Sequence, residues 1–599
     1  MKTLAVMIDL EHERHLAGLA AAIAGEDEVV LLSVLEVGED RSLAAEQPQV
    51  KARRRELDAL ATSLPQARAV VTVARTGWDG VAEAVRREAP GLLLVPWRRP
   101  GWDLLGTTLE KILRDPLCDL AVVRGSFERV RRVLVPVRGG RYAHLAVGVS
   151  IGFAHRRAAA LTLLHVTDPG RRSPLSLYRM LGEVAFDDHV EHLVSRTGDP
   201  ATIIGDELDR HDAIVFGASA IEGAKDQVGP VGAKILESQK PAILVRTRAP
   251  VVSGLFRDRP ALPAGRAERS RAIGELVDGW FAENTFSSSE FADLGRLVEA
   301  KRRQGLRVSV GLPALNEEDT IAKVIRAIRS RLMERFPLVD EMMVIDSDST
   351  DRTREIAEAE GVAVHIHQRI LPECGPQTGK GEALWKSLHV LTGDIVVWVD
   401  TDVSNFHPKF VYGILGPLLM RPDLQFIKAF YQRPLRVGDE IQATGGGRVT
   451  ELTARPVLNL FFPELSGIVQ PLSGEQGGRR ALLEQLPFFS GYGVETGLVI
   501  DTLQRAGLGA IAQVDMKQRI HRNQSLLALS KMSFEILQVA LRRVGEARGE
   551  RLWEDANSTM KLITPEDGRL HLELHDIAAV ERPPMITIPA YRAARSLAG

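Results

Sequence analysis

Two aspartates spaced by one residue, Asp400 and Asp402, close the apolar run "DIVVWVDTDVSNFHP" at residues 394 to 408. On an extended chain, residues i and i+2 share a side, so the two carboxylates lie together while Thr401 points away. Left bare they repel, and one takes up a proton. A divalent cation and a ligand hydroxyl relieve that repulsion, and oxygen donors of this kind suit Mg²⁺ or Mn²⁺. D-x-D also arises as a helix cap or loop pair, so the neighbourhood decides. Upstream stand "LPALNEE" with Asn316, Glu317 and Glu318, "DSDSTD" with Asp346, Ser347 and Asp348, and "GKGEALWKS" with Lys380. Downstream, "ATGGGRVTEL" at 443 to 452 offers three glycine amides, Arg448 and Thr450 to an anion. "GYGVE", with Tyr492 and Glu495, and "IHRNQ", with His521 and Asn523, complete the set.

Elements of an open α/β sheet must hold these groups. Strands are expected at 307 to 318 and 340 to 351 and in the D-x-D stretch, with helices between them. The polar residues fall at the carboxyl ends of those strands, where such sheets bind ligands.

The order and content of these segments resemble GT-A nucleotide-sugar transferases. More closely, "LPALNEE", "TGKGEALWKSL", "GDIVVWVDTDVSNFHPKFV", "ATGGGRVTEL", "QPLSGE", "GYGVETGLVIDT" and "IHRNQ" resemble the glucosyl-3-phosphoglycerate synthase family over about residues 276 to 545. The resemblance implies that the segment of Pro313, Ala314, Leu315, Asn316 and Glu317 holds the nucleoside diphosphate of the donor, aided by Ser347, Lys380, Asp400 and Thr401. It implies a Mg²⁺ or Mn²⁺ ion on Asp402 and His521. The donor sugar is then read by Tyr492 and Glu495, and 3-phosphoglycerate by Gly447, Arg448, Val449, Thr450 and Asn523. Lys380, Asp400, Asp402 and Glu495 are the residues expected to carry catalysis. The reaction implied is retaining transfer of glucose from an NDP-glucose to D-3-phosphoglycerate.

The first 250 residues have a different character. "TLAVMI", "EVVLLSVLEV", "ARAVVTVA", "GLLLVPW" and "DLAVVR" read as strands separated by helical stretches, and the order recurs from "RRVLVPV" to "PAILVRT". The two copies, 1–126 and 129–248, resemble universal stress proteins and imply tandem Rossmann-like domains. Nucleotide-binding members of that family carry G-x2-G-x9-G-S/T. Here the first copy keeps only Gly106-Thr107, and the second keeps Gly217 and Gly229 but has Ala220 and Pro230. Asp9 fits the family's acidic position after the first strand, while the second copy has Arg138. Packing, dimerisation or regulation is therefore expected of this region in preference to ATP binding. A Pro-, Arg- and Gly-rich linker, 249–270, leads to the transferase domain, 271–599.

Composition excludes several classes. A formal net charge of -2 gives no field to draw in nucleic acid or an anionic membrane. No run of 18 apolar residues appears, so no bilayer span and no lipid acceptor is expected. Two cysteines make no disulfide framework, and a cytoplasmic homodimer is the expectation. Two alternatives stay open: a mannosyl-3-phosphoglycerate synthase using GDP-mannose, and a stress-responsive nucleotide-binding regulatory protein.

Overall fold

The computed structural model describes the chain apart from residues 65, 98–103, 138–140, 168–188, 219–231, 233–234, 236–237, 249–265, 433–434, 438–439, 443–446, 520–524, 549–557, 567–568 and 599. It forms two compact units, residues 1–265 and 266–599.

Ten β-branched and leucine-rich strands build the first unit: β1 Thr3–Val6, β2 Val29–Glu36, β3 Ala67–Ala74, β4 Leu92–Pro96, β5 Leu120–Arg124, β6 Arg132–Pro136, β7 Ala160–Thr167, β8 Val190–Thr197, β9 Ala213–Gly217 and β10 Ala242–Arg246. They form one sheet in the order β3-β2-β1-β4-β5-β10-β9-β6-β7-β8. Each half is parallel, and the halves have the same internal strand order. They meet where β5 and β10 pair antiparallel, Val122 opposite Leu244. The two copies read in the sequence are thus halves of one sheet, and a single apolar cluster, with Leu4, Leu32 and Val122 from one half and Leu134, Ile214 and Leu244 from the other, runs through both. Helices Arg14–Ala24 and Arg141–Arg157, which follow β1 and β6, approach closely. A Cβ on Gly152 would meet the Ile23 carbonyl oxygen at 2.7 Å.

Asp9 is exposed and caps a turn, accepting from the amides of Glu11 and His12 and lying 2.9 Å from His12 Nδ1. Gly106 has φ +79 in a turn whose flanks, Leu104 and Thr107, form an isolated bridge. Gly217 ends β9, while Arg138, Ala220, Gly229 and Pro230 lie outside the described residues.

In the second unit the leading helix is Arg266–Asn284, so it begins inside the stretch expected to be linker. Its main sheet has eight strands: β11 Thr285–Ser287, β12 Val308–Ala314, β13 Glu341–Asp346, β14 Ala363–Ile366, β15 Ile395–Trp398, β16 Phe426–Gln432, β17 Gln476–Arg479 and β18 Ile511–Gln518. The order is β11-β18-β16-β17-β15-β12-β13-β14. Only β17 runs antiparallel to its neighbours, β15 and β16. Period-two alternation sends strand residues to two apolar layers. Val310, Leu312 and Val397 join the cluster beneath helix Lys409–Met420, and Val396 and Trp398 join the one that holds Trp385, Phe488 and Leu498. Among the described residues no helix is long and apolar enough to cross a membrane.

Candidate functional site

The carboxyl ends of β12, β13 and β15 open into one cavity of about 1270 Å³. The loops after β12 and β13 are laced to each other. Asn316, at φ 57, donates its amide to Ser349 Oγ (3.0 Å) and accepts at Oδ1 from the Thr350 amide (2.8 Å). The Glu317 amide donates to Thr353 Oγ1 at 2.7 Å, and the Ser347 amide to the Ala314 carbonyl at 2.9 Å. Asp346 is fully buried and anchors the second loop by accepting from the amide and hydroxyl of Ser349. The result is a rigid ledge in which Pro313, Ala314, Leu315, Glu317 and Ser347 line the cavity and Leu315 is 54% exposed.

The D-x-D lies just beyond the end of β15, yet the alternation persists. Thr401 is buried and donates to the Pro313 carbonyl at 2.9 Å, and it lines the cavity together with Asp400 and Asp402. Two cations hold the carboxylates. Lys380, first residue of the helix Lys380–Val390, sets Nζ 2.5 Å from Asp400 Oδ1 and 3.2 Å from Glu495 Oε1. Arg519, just past β18, sets Nη2 2.5 Å from Asp402 Oδ1 and 3.0 Å from Asp400 Oδ2, with Nη1 3.1 Å from Glu475 Oε1 and 2.5 Å from Tyr431 Oη. Burial alone would raise the Asp400 carboxyl, but the charges of Lys380 and Arg519 outweigh it and hold it well below the usual carboxylate range. For Lys380 the burial cost is likewise overcome, by Asp400 and Glu495, and its ammonium is held above the ordinary value. Burial pushes Glu475 up, against the pull of Arg519.

Glycines let this cluster close. A Cβ on Gly474 would overlap the Asp400 carboxylate and the Lys380 ammonium, and one on Gly381 would run into the Phe489 carbonyl. Beneath Gly474, buried Lys428 of β16 donates to the Ser473 carbonyl (2.6 Å) and to Gln476 Oε1 (2.9 Å).

The other expected residues are brought to the same cavity. Glu495 is buried in the first turn of the helix Val494–Ala506, and Tyr492 is 44% exposed, its amide donating to Glu535 Oε2 at 2.5 Å. Gly447 takes φ +83 and starts the turn carrying Arg448, Val449 and Thr450, all of which line the cavity. Val449 packs under Leu529, Met532 and Ile536 of the helix Leu526–Arg548. His521 and Asn523 lie outside the described residues, as do residues 443–446 of the glycine run.

Among the described residues no group of three or more His, Cys, Asp or Glu side chains could hold a metal ion. The donor set fits a hard divalent cation that takes most ligands from substrate oxygens. Arg519 engages one Asp402 oxygen, and the Asp402 side chain, 38% exposed, lines the cavity. Sequence reasoning missed Arg519, Glu475, Lys428 and the wall formed by the helix Leu526–Arg548 and residues 576–580. The motif "QPLSGE" marked Gly474 and Glu475 but gave them no role.

The description "Glycosyl transferase family 2" matches residues 309–431. The chain is 50% identical over 310 residues to the glucosyl-3-phosphoglycerate synthase of Petrotoga mobilis, covering 52% of this chain and 95% of that one. It is 46% identical over 297 residues to that of Mycobacterium tuberculosis, covering 49% and 88%. Among solved structures, mannosyl-3-phosphoglycerate synthase from Rubrobacter xylanophilus is 40% identical with a TM-score of 0.48, over 52% of this chain and 97% of that one. The Mycobacterium tuberculosis glucosyl-3-phosphoglycerate synthase in complex with Mn²⁺, UDP and glucosyl-3-phosphoglycerate is 44% identical with a TM-score of 0.43, over 49% and 95%.

Proposed function

The chain belongs, through its C-terminal half, to the glucosyl-3-phosphoglycerate synthase family of glycosyltransferases, and on that premise we propose that it transfers glucose from an NDP-glucose to D-3-phosphoglycerate. The observation that carries the reading is the cluster of Lys380, Asp400, Arg519 and Asp402 at the carboxyl end of the parallel strands, in the same cavity as the Gly447–Thr450 turn.

Each group has a task that its surroundings support. The ledge from Pro313 to Glu317, with Ser347, offers backbone and hydroxyl groups to the nucleotide. Asp400, kept ionised by two cations, accepts hydrogen bonds from the donor across the whole neutral range. Glu495, tethered to Lys380, accepts from sugar hydroxyls, and Tyr492 closes over the sugar. Lys380 sits where negative charge develops on the departing diphosphate and stabilises it without moving. A Mg²⁺ or Mn²⁺ ion held by Asp402, with His521, would add charge neutralisation on that diphosphate. The acceptor is taken by Gly447, Arg448 and Thr450, with Asn523. Among the described residues no side chain stands out as a dedicated nucleophile, so the 2-hydroxyl of phosphoglycerate attacks from the face of the leaving phosphate, which takes its proton. The product then keeps the α linkage, and a β linkage in the anomeric NMR coupling would sink that step.

The decisive experiment incubates the full chain and Mn²⁺ with 3-phosphoglycerate and, separately, UDP-glucose, GDP-glucose and GDP-mannose. Glucosyl-3-phosphoglycerate is expected. Product from GDP-mannose alone would overturn the choice of sugar, and none from any donor would overturn the acceptor. The first unit, whose halves repeat one strand order, is read as an assembly or regulatory element akin to tandem stress-protein domains. Two copies of the chain pair in this reading, which light scattering checks. ATP added to the full chain should leave the transfer rate unchanged, and an ATP-dependent rate would restore the nucleotide-sensor alternative.

A further inference from the structure

We infer that Lys531, on the helix Leu526–Arg548, is a second cationic contact for the acceptor, an inference that rests on the reaction proposed above. The acceptor carries a carboxylate and a phosphate monoester, the latter alone worth about −1.5 to −2 charges at neutral pH. Lys380 and Arg519 are already engaged by Asp400, Asp402, Glu475 and Glu495, so their charge is largely compensated within the protein. Among the described residues two further cations line the cavity, Arg448 and Lys531. They belong to elements that pack on each other: Val449 lies against Leu529, Met532 and Ile536, and Thr453 bonds Ser533 at 3.0 Å.

Lys531 is half-buried and aligned by a relay. Its Nζ lies 3.2 Å from His575 Nδ1, and His575 Nε2 lies 3.2 Å from Glu573 Oε2. An ammonium only donates, so Nδ1 accepts and the ring proton sits on Nε2, facing the carboxylate. His575 takes one of three N–H donors, holding the long side chain at the cavity wall beside Asp576 and Ile577. A charge-assisted bond from a pre-aligned ammonium to an anionic oxygen is the contact this arrangement supplies.

Steady-state kinetics of the full chain test it. K531M should raise the KM for 3-phosphoglycerate roughly 10- to 100-fold, with the KM for NDP-glucose within about twofold of wild type. K531R should recover most of the loss, and H575F should shift the acceptor KM by a smaller factor. A K531M acceptor KM within twofold of wild type, or a donor KM that rises in parallel, overturns the contact. An unchanged acceptor KM in H575F overturns the relay. Wild-type protein that does not use 3-phosphoglycerate overturns the reaction and this contact together, whereas normal wild-type turnover with an unaffected K531M overturns the contact alone.

Discussion

The ammonium of Lys380 lies 2.5 Å from Asp400 Oδ1. The same nitrogen is 3.2 Å from Glu495 Oε1, so one cation ties the D-x-D turn to the helix that begins at Val494. The two carboxylates proposed to meet the donor nucleotide and the donor sugar are thereby fixed to each other. Replacing Lys380 by Met removes both the tether and the positive charge proposed to face the leaving group. The kcat of K380M should fall by about 10²- to 10³-fold, the usual cost of losing one pre-organised charge-stabilising donor. Initial rates at saturating donor and acceptor measure it, and a loss confined to KM would show that Lys380 binds without stabilising the transition state.

Asp402 differs from Asp400 in being the more open of the pair, 38% against 18% exposed. Arg519 keeps Asp400 and Glu475 as partners if Asp402 is removed, so the fold should tolerate Asp402→Ala. Turnover should nevertheless drop by at least about 10²-fold, since the carboxylate proposed to hold the ion is gone. Calorimetric titration of Mn²⁺ into the UDP-saturated protein should show weakened binding in both D402A and H521A. Full activity in D402A would remove Asp402 from the metal site, and chelator-resistant wild-type activity would remove the metal.

Local pattern makes much of this site legible. The strand ends at Ala314, Asp346 and Trp398 follow from apolar runs that turn polar. The alternation through Asp400, Thr401 and Asp402 continues past the end of β15 at Trp398, where Thr401 is pinned to Pro313. The repeated strand order of the first unit is legible in the same way, from runs of β-branched residues. What pattern does not carry is partnership over distance. Arg519 meets Asp402 across 117 positions, and nothing at either end announces the other. A buried arginine at the end of β18 looks like any edge residue until the fold closes β18 beside β16. The single ten-stranded sheet is hidden for the same reason: antiparallel contact between β5 and β10 depends on two edges meeting. The cavity wall from Leu526–Arg548 reads in sequence only as an amphipathic helix.

Gly474 tests how closely the cluster is fitted. Its φ lies outside the left-handed region, so alanine brings no backbone strain; the objection is space, because a Cβ would overlap Asp400 and Lys380. The Lys380 head can shift, but Asp400 is held from the other side by Arg519. G474A should therefore separate Lys380 from Asp400, lowering kcat by about 10- to 100-fold, since displacements of about an ångström at a reacting centre are this costly. Overpacking should remove about 1–3 kcal/mol of stability. Rates and urea midpoints measure the two effects, and wild-type kcat in G474A would mean that the wall yields freely.

Lys428 gives a prediction in which the direction of the pH effect is the test. It is buried, hydrogen-bonded to the Ser473 carbonyl and Gln476, and faces the charges of Glu495, Lys380, Glu475 and Asp400. Burial, aided by Lys380 and opposed by the carboxylates, pushes its ammonium down to about 7. Between that value and the ordinary lysine value of about 10.4, the unfolded chain binds a proton that the folded chain does not. Stability conferred by this residue therefore rises with pH through that window. Below it the native protein carries a buried ammonium without a direct carboxylate partner. Lys428→Met abolishes the titration. K428M should be more stable than wild type near pH 6, with the difference shrinking steadily as pH climbs toward 10. The urea midpoint of the transition that abolishes transferase activity, followed at several pH values, reports it. A difference between the two proteins that stays constant across pH 6–10 would show that Lys428 keeps its proton throughout.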